Sequence, residues 1–236
     1  MKMIHLSDLH VSTRDSAEYR ALRRIVLEII TNHRDAVVVI TGDFVNNGTR
    51  DEFDVVAALL GPLVTHCRLV LTLPGNHDVK YMGALGGADA GPFFEFRRNL
   101  TRAEIRYPYV QDIDGVQIVC LDSSAGSLAR GSIGYTQRME LAKYLEIGTP
   151  HTRVACLHHH PFDWGFGLEL TDSEELLAVL AGRCDLLLFG HKHVSAIWRG
   201  VYGIDWMAAS GKTTADLTYR VFDITDGKIT YTDEAV

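Results

Sequence analysis

The chain has few features of a secreted or membrane-inserted protein. Its four cysteines form no CxxC motif, and three of them precede or lie within apolar runs. That distribution predicts buried free thiols rather than disulfides. The longest apolar runs, such as VVAALLGPLV, are too short to span a bilayer. A strand-like KMIHL begins at residue 2, so we expect no leader, a cytoplasmic location and no membrane partner.

The chain also has no surplus of positively charged residues. The chain carries 23 basic against 30 acidic residues, for a net charge of −7. Broad nucleic-acid binding requires a basic surface that neutralises phosphates, so nucleic acid is not an expected partner. A small phosphate-bearing substrate in a cleft is still compatible with this charge. Composition does not address the oligomeric state, and a homodimer stays open.

No internal repeat, low-complexity segment or linker divides the sequence. With 236 residues, 47% of them hydrophobic, the chain can bury one sizeable core, and we expect a single domain over residues 1–236. The glycine-rich stretch 83–91 is a candidate flexible loop, and 163–170 is another. Whether either forms a lid or a plain connector stays open.

Apolar, β-branched runs alternate with helical patterns along the chain. We predict helices that begin near Asp15, Thr49 and Thr171, because each of these residues has a glutamate three positions later. A turn is expected at Asp226-Gly227, within hairpins that follow residue 195. The predicted strands are KMIHL, AVVVIT, RLVLTL, GVQIVCLD, TRVACLH and CDLLLFG. Such alternation predicts an α/β fold with much parallel pairing in a sheet buried on both faces.

Polar side chains follow these strands at the point where each strand ends. They are Asp8 and His10, Asp43, Asn76 with His77 and Asp78, His158 to His160, and His191 with His193. In open α/β sheets, ligands bind outside the carboxyl ends of the strands. Imidazole, carboxylate and carboxamide groups without cysteine suit Mn²⁺, Fe²⁺ or Fe³⁺, Zn²⁺ or Co²⁺. Seven or eight ligands suit two ions that share a carboxylate, an arrangement that generates hydroxide near neutral pH and clamps displacement at phosphorus.

The order of these motifs resembles that of the calcineurin-like metallophosphoesterases. The matching motifs span residues 8–193 and are Asp8-x-His10, Gly42-Asp43, Gly75-Asn76-His77-Asp78, His159-x-Pro161 and Gly190-His191-x-His193. The resemblance implies a four-layer α/β/β/α sandwich of two mixed β-sheets flanked by helices, with a dinuclear metal centre at the sheet edge. It also implies that one ion is bound by Asp8, His10 and His193, that the other is bound by Asn76, His159 and His191, and that Asp43 bridges the two.

The resemblance further selects one histidine of the run HHHP (158–161). The family ligand stands two residues before the proline, which is His159. Successive extended residues face opposite sides, so we expect a structural role for His158. We expect His160 to contact substrate, with plain solvent exposure as the alternative.

A catalytic role is implied for the GNHD motif. His77 is expected to contact substrate together with Asn76, and to act as a general acid or to stabilise charge. Asp78 is expected to orient His77 and to keep it protonated. The alternative for His77 is a structural role.

The short chain resembles the compact bacterial branch that includes cyclic-nucleotide and glycerophosphodiester phosphodiesterases. This resemblance implies an enzyme, a metal-dependent phosphoric ester hydrolase that attacks a small phosphodiester through a metal-bridging hydroxide. A phosphomonoesterase or nuclease on the same centre, a metal-binding scaffold without catalysis, and a metal-dependent amide hydrolase remain alternatives.

The segment SGKTT (210–214) looks like the end of a phosphate-binding P-loop. That motif requires a glycine five residues before Gly211, where this chain has Trp206. We therefore expect no nucleotide-binding loop here, although Lys212 could still face the cleft.

Overall fold

The computed structural model describes residues 1–81, 88–103, 106–125, 130–146, 152–163, 165 and 168–236. The candidate lid segments 83–91 and 163–170 lie partly outside these residues. The helices are α1 (Ala17–Asn32), α2 (Arg50–His66), α3 (Gly91–Thr101), α4 (Gly134–Glu146), α5 (Ser173–Leu180) and α6 (Thr213–Asp216). The strands are β1 (Lys2–Leu6), β2 (Val37–Ile40), β3 (Leu69–Thr72), β4 (Lys80–Tyr81), β5 (Ala88–Asp89), β6 (Tyr109–Ile113), β7 (Val116–Cys120), β8 (Thr152–Cys156), β9 (Leu186–Phe189), β10 (Ser195–Val201), β11 (Ile204–Ser210), β12 (Thr218–Thr225) and β13 (Lys228–Ala235).

The strands form two mixed sheets and one short two-stranded pair, β4–β5. The first sheet has the order β13-β12-β1-β2-β3, in which β1, β2 and β3 are parallel. The second sheet has the order β10-β11-β9-β8-β7-β6, in which β11, β9, β8 and β7 are parallel. The parallel strands are those that the apolar runs predict, with β11 added from the C-terminal hairpin region, and the α/β class is confirmed.

Alternation along the strands produces the layers. In β2, Val37 and Val39 face a core between the two sheets, whereas Val38 and Ile40 face α1 and α2. In β8, Val154 faces the same inter-sheet core, and its neighbour Ala155 joins the cluster formed with α4 and α5. Both faces of each central strand are therefore buried, and the expected α/β/β/α sandwich is confirmed.

The helix starts agree with the sequence in one case and differ in another. Thr49 caps α2 in a reciprocal capping box with Glu52, as predicted. The cap of α1 is Ser16 rather than Asp15, because the Ser16 hydroxyl accepts the backbone N–H of Tyr19 at 3.0 Å. The C-terminal turn is as predicted, with positive φ values at Asp226 and Gly227.

All four cysteines are buried free thiols, as predicted. Burial raises the pKa of Cys184 to about 12, so this thiol stays protonated at neutral pH. No helix in the described ranges combines the length and apolar character that crossing a bilayer requires.

Candidate metal centre

The polar motifs meet at one edge of the sandwich, where parallel strands of both sheets end. Loops after β1, β2 and β3 bring Asp8, Asp43 and Asn76 from the first sheet, and loops after β8 and β9 bring His158 and His191 from the second. The strand-end positions that the sequence singles out are therefore neighbours in space, although they are far apart along the chain.

A first cluster consists of Asp8, His10, Asp43 and His193, whose candidate ligand atoms all lie within 4.8 Å of one another. Nε2 of His193 lies 3.4 Å from Oδ1 of Asp8, and Nε2 of His10 lies 3.6 Å from Oδ2 of Asp43. The two imidazoles approach each other to 2.9 Å between their Nε2 atoms. Two nitrogens and two carboxylates thus converge on one small volume.

A second cluster consists of Asp43, His158 and His191, again within 4.8 Å. Nε2 of His158 lies 3.3 Å from Oδ2 of Asp43 and 3.1 Å from Oδ1 of Asn76. Asp43 belongs to both clusters, and it is almost fully buried, with 1% of its surface exposed. The geometry is that of two cation sites joined by one carboxylate.

The structure places His158, and not His159, against Asp43. Nδ1 of His159 lies 2.9 Å from the Ser123 hydroxyl, and its ring lies 4.5 Å from that of His191. Nε2 of His159 is buried and has no hydrogen-bond partner in the described structure. The same hydroxyl accepts the backbone N–H groups of His158 and His159, at 3.2 and 3.1 Å. Both rings pack against that of His191, with centroids 5.1 Å away for His158 and 4.5 Å away for His159. The expectation that His159 binds the second ion stays a prediction, and the contact of His158 with Asp43 makes His158 a second candidate.

Two imidazoles near Asp43, those of His158 and His10, are each oriented by a hydrogen bond on the far nitrogen. Nδ1–H of His158 donates to the carbonyl of Thr41 at 2.7 Å, and Nδ1–H of His10 donates to Oδ1 of Asn46 at 3.1 Å. This arrangement leaves both Nε2 atoms facing the carboxylates, as metal-binding histidines require. The donor set and its orientation therefore fit divalent cations with mixed nitrogen and oxygen ligands.

The electrostatics of the clusters are those of buried carboxylates supported by imidazoles. Burial alone would raise the pKa of Asp43, but the neighbouring His158 and His10 hold it well below its usual range. Burial would likewise lower the pKa of His158, and the Asp43 charge raises it to about 9. Because a buried carboxylate needs a compensating positive charge, a bound cation would satisfy both Asp43 and the fully buried Asp8.

The loops of the two clusters have an unusual backbone. Asp8, His10, Asp43, His191 and His193 all have positive φ values, between 48° and 77°. This left-handed region is unfavourable for residues with a side chain. Strained residues of this kind persist where the surrounding structure holds them, and they concentrate at functional sites.

The Asp78 side chain of the GNHD motif binds backbone groups. The Asp78 carboxylate accepts the backbone N–H groups of Phe44, Val45 and Gly75, at 2.8, 3.2 and 2.9 Å. Burial, with the charge of Asp43, raises the pKa of Asp78 well above its usual range. Asp78 therefore holds the loop that carries Asp43. The bonds from Phe44, Val45 and Gly75 join this loop to the loop after β3, and the orienting role expected for Asp78 towards His77 stays a prediction.

His77 lies at the exposed rim of the centre. Its Nδ1–H donates to the backbone carbonyl of Asn46 at 2.8 Å, and its ring packs edge-on against His10 with centroids 4.8 Å apart. Its own backbone N–H donates to Oδ1 of Asp43 at 2.9 Å. Nε2 of His77 is thus left available beside the first cluster. Asn46 orients both His10 and His77, and no motif in the sequence pointed to it.

His160 does not lie at the centre. Its Nδ1–H donates to the carbonyl of Phe162 at 2.8 Å, and its buried ring contacts Phe162, Phe189 and Trp198. Burial lowers the pKa of His160 to about 4, so the ring is neutral. The expectation that His160 contacts substrate is corrected, because the turn at residues 160–162 directs the ring into the aromatic part of the core.

Comparisons with known proteins agree with this geometry. The family model described as calcineurin-like phosphoesterase matches residues 1–195. A probable cyclic nucleotide phosphodiesterase of Rhodococcus erythropolis is 28% identical over 207 residues, which cover 82% of this chain and 65% of that protein. A probable glycerophosphodiester phosphodiesterase of Arcobacter nitrofigilis is 24% identical over 235 residues, or 92% of this chain and 81% of that one.

Among solved structures, a purple acid phosphatase from yellow lupin has the same fold, with a TM-score of 0.72 at 14% identity. The alignment covers 98% of this chain and 51% of the lupin protein. The chain thus spans less than two thirds of the Rhodococcus relative and about half of the lupin enzyme. The match of the family model over residues 1–195, with the two clusters that share Asp43, shows that the chain belongs to the calcineurin-like phosphoesterase family.

Proposed function

We propose that this protein is a metal-dependent phosphodiesterase that hydrolyses small phosphodiesters of the cyclic-nucleotide or glycerophosphodiester type. The observation that carries the proposal is Asp43, a buried carboxylate that belongs to two imidazole-rich clusters at once. The names of the Rhodococcus and Arcobacter relatives support the substrate class.

Two divalent ions would be bound at the two clusters, and Asp43 would contact both. The first ion would be held by Asp8, His10 and His193, and the second by Asn76, His158 and His191. Mn²⁺, Fe²⁺ or Fe³⁺, Zn²⁺ and Co²⁺ all suit this donor set. When bound, such a pair of ions supplies an activated water molecule and positive charge for the transition state at phosphorus.

His77 is proposed to donate a proton to the leaving oxygen from Nε2. Its Nδ1–H is already bonded to the carbonyl of Asn46, so the proton on Nε2 is the one available for transfer. The side-chain N–H₂ of Asn76 can donate to a phosphoryl oxygen, because its Oδ1 faces His158. Together these two groups would fix the orientation of the phosphodiester.

The proposed role of His77 predicts that its substitution lowers turnover without lowering the metal content. His77→Ala should keep both ions, because no proposed ligand is removed. Turnover of phosphodiesters with poor leaving groups should fall by about 100- to 10,000-fold, and that of p-nitrophenyl esters by less. Metal analysis and steady-state rates on both substrate classes test this, and unchanged turnover of the poor leaving groups would exclude the assigned role.

A substrate panel on metal-free and Mn²⁺-loaded protein tests the proposed function. The panel contains bis(p-nitrophenyl) phosphate, p-nitrophenyl phosphate, cyclic AMP and glycerophosphocholine. We expect Mn²⁺-dependent hydrolysis with diesters preferred, loss of activity and metal in Asp43→Asn, and no change in Asp223→Asn, an exposed carboxylate on β12. Full metal loading without phosphoester hydrolysis would favour a scaffold or an amide hydrolase. A preference for the monoester would favour a phosphomonoesterase.

A further inference from the structure

The segment SGKTT (210–214) contacts the loop that carries Asp8. Thr213 is fully buried, and its hydroxyl accepts the backbone N–H of Ser7 at 3.0 Å. In return, the backbone N–H of Thr213 donates to the carbonyl of Ser7 at 3.1 Å. The hydroxyl of Thr214 donates to the carbonyl of Leu9 at 2.9 Å. The two threonines therefore bind the backbone on both sides of Asp8, from more than 200 positions along the chain.

These contacts fall on a strained stretch of backbone. Asp8 and His10 both have left-handed conformations, with φ of 55° and 48°. Such conformations cost free energy and persist only when neighbouring groups hold them. Ser7, which Thr213 binds through both backbone groups, also donates its hydroxyl to Oδ2 of Asp8 at 2.6 Å. The position of the Asp8 carboxylate thus depends on where Ser7 is held.

We infer that Thr213 and Thr214 are positioning residues for the first metal site. They act through the backbone of Ser7 and Leu9, and they maintain the left-handed loop that presents Asp8 and His10 to the ion. This inference rests on the proposed function, because it assumes that the first cluster binds a metal. The segment that resembles the end of a P-loop would then serve an ion site rather than a nucleotide phosphate.

The effect should be larger at the first site than at the second. Asp8 and His10 belong to the first cluster, and His158 is held from other elements, by Thr41 and Ser123. Two routes lead from the loop to the second cluster. The backbone N–H of His191 donates to the Asp8 carboxylate at 3.1 Å, and the Ser7 hydroxyl donates at 3.3 Å to the Thr41 carbonyl to which His158 is bonded. A weaker effect on the second site is therefore expected, and the difference between sites is what distinguishes positioning from general destabilisation.

The test measures Mn²⁺ affinity by calorimetry in two single-site backgrounds. His158→Ala should leave only the first site, and His193→Ala only the second. Thr213→Val removes the acceptor of the Ser7 N–H at nearly constant volume. It should weaken Mn²⁺ binding about 10- to 100-fold in the His158→Ala background. In the His193→Ala background the change should be several-fold smaller, and Thr213→Ser, which restores the hydroxyl, should recover most of the affinity.

Two further variants control for folding. Thr152→Val replaces another buried threonine, at the opposite end of β8, and should change neither affinity. If Thr213→Val does not fold, Thr214→Val removes the donor to Leu9 and should weaken the same site. Equal losses in both backgrounds, or no loss in either, would overturn the inference while the proposed function stands. A wild-type chain that binds no Mn²⁺ would instead contradict the proposed function itself.

Discussion

Each histidine has two ring nitrogens, and a hydrogen bond to the one that points away from the metal centre leaves the other free to face an ion. His158 is bonded to a backbone carbonyl, and His10 to the side chain of Asn46, so both present Nε2 to Asp43. His159 is bonded to Ser123 through Nδ1, and its buried Nε2 has no hydrogen-bond partner in the described structure. We propose that His158 binds an ion and that His159 only supports the site, since it is His158 that contacts Asp43.

This difference predicts unequal effects of two neighbouring substitutions. His158→Asn should reduce the bound metal from two ions to one, because it removes a nitrogen that faces Asp43. His159→Asn should keep two ions and lose at most about tenfold in affinity, as expected for a group that only supports a ligand. Metal analysis after equilibrium dialysis measures both variants. Loss of an ion in His159→Asn but not in His158→Asn would reverse the assignment.

A buried histidine that belongs to neither cluster should make stability depend on pH. His5 in β1 is fully buried, and burial, with the charge of Arg220, lowers its pKa to about 3. Below pH 6.5 the unfolded chain therefore gains a proton that the folded chain does not, so the free energy of unfolding falls as the pH drops. Between pH 6.5 and 5 this one group should remove about 2 kcal/mol.

Denaturant unfolding of His5→Gln at pH 7 and pH 5 isolates this contribution. The variant lacks the titrating ring, so its stability should fall less between the two pH values than that of the wild-type chain. The difference between the two falls should be about 2 kcal/mol. Parallel profiles would show that His5 takes up its proton in the folded state as readily as in the unfolded state.

Among the structural elements, the loops after β2 and β3 pack closely against each other at Asp43 and Gly75. A Cβ added to Gly75 would lie 2.1 Å from Oδ1 of Asp43 and 2.5 Å from its backbone nitrogen. The loop after β3 can therefore contact the loop after β2 only if residue 75 has no side chain. Close packing against Asp43 therefore explains why the first residue of the GNHD motif is a glycine.

Substitution of this glycine should reduce metal binding more strongly than it reduces the stability of the fold. Gly75→Ala should displace Asp43, weaken binding of both ions and cost about 1–3 kcal/mol of stability through overpacking. Gly61→Ala is the matched control, because a Cβ at Gly61 in α2 meets nothing within 4 Å. That control should be neutral or stabilise by up to about 1 kcal/mol. Metal affinity and denaturant unfolding separate the two, and intact metal binding in Gly75→Ala would contradict the proposed packing.

The sequence predicts these elements to different degrees for physical reasons. The central strands are predictable because they are buried on both faces, which requires unbroken apolar runs such as VVVI and LLLF. Strand β6 is partly exposed and was not predicted. The polar strand ends were predictable as a set, since parallel strands end at one edge. The contact of His158 with Asp43 was not, because it depends on how Thr41 and Ser123 hold residues 158 and 159 from distant parts of the chain.

At the scale of the whole molecule, bound metal should stabilise the fold. The charges of the fully buried Asp8 and the nearly buried Asp43 are offset by imidazoles, backbone N–H groups and the Ser7 hydroxyl. An ion present at 100 times its dissociation constant stabilises the folded state by about 2.7 kcal/mol, or roughly 5–10 °C in Tm for a chain of this size.

Thermal unfolding with excess Mn²⁺ and with a chelator measures this difference. We expect a higher Tm with Mn²⁺ for the wild-type chain and no shift for Asp43→Asn, which has lost the shared carboxylate. An equal shift in Asp43→Asn would mean that the ion binds elsewhere on the protein.

The candidate ligands of the centre lie on loops of both sheets. The layer of apolar side chains between the two sheets determines the distance between the sheets. Asp8 and Asp43 follow strands of the first sheet, whereas His158 and His191 follow strands of the second. The span across which Asp43 reaches His158 is therefore governed by residues such as Val39 and Leu188, which fill the gap without approaching an ion. Substitution of these apolar residues could therefore change the affinity for the second ion without changing any of the candidate ligands.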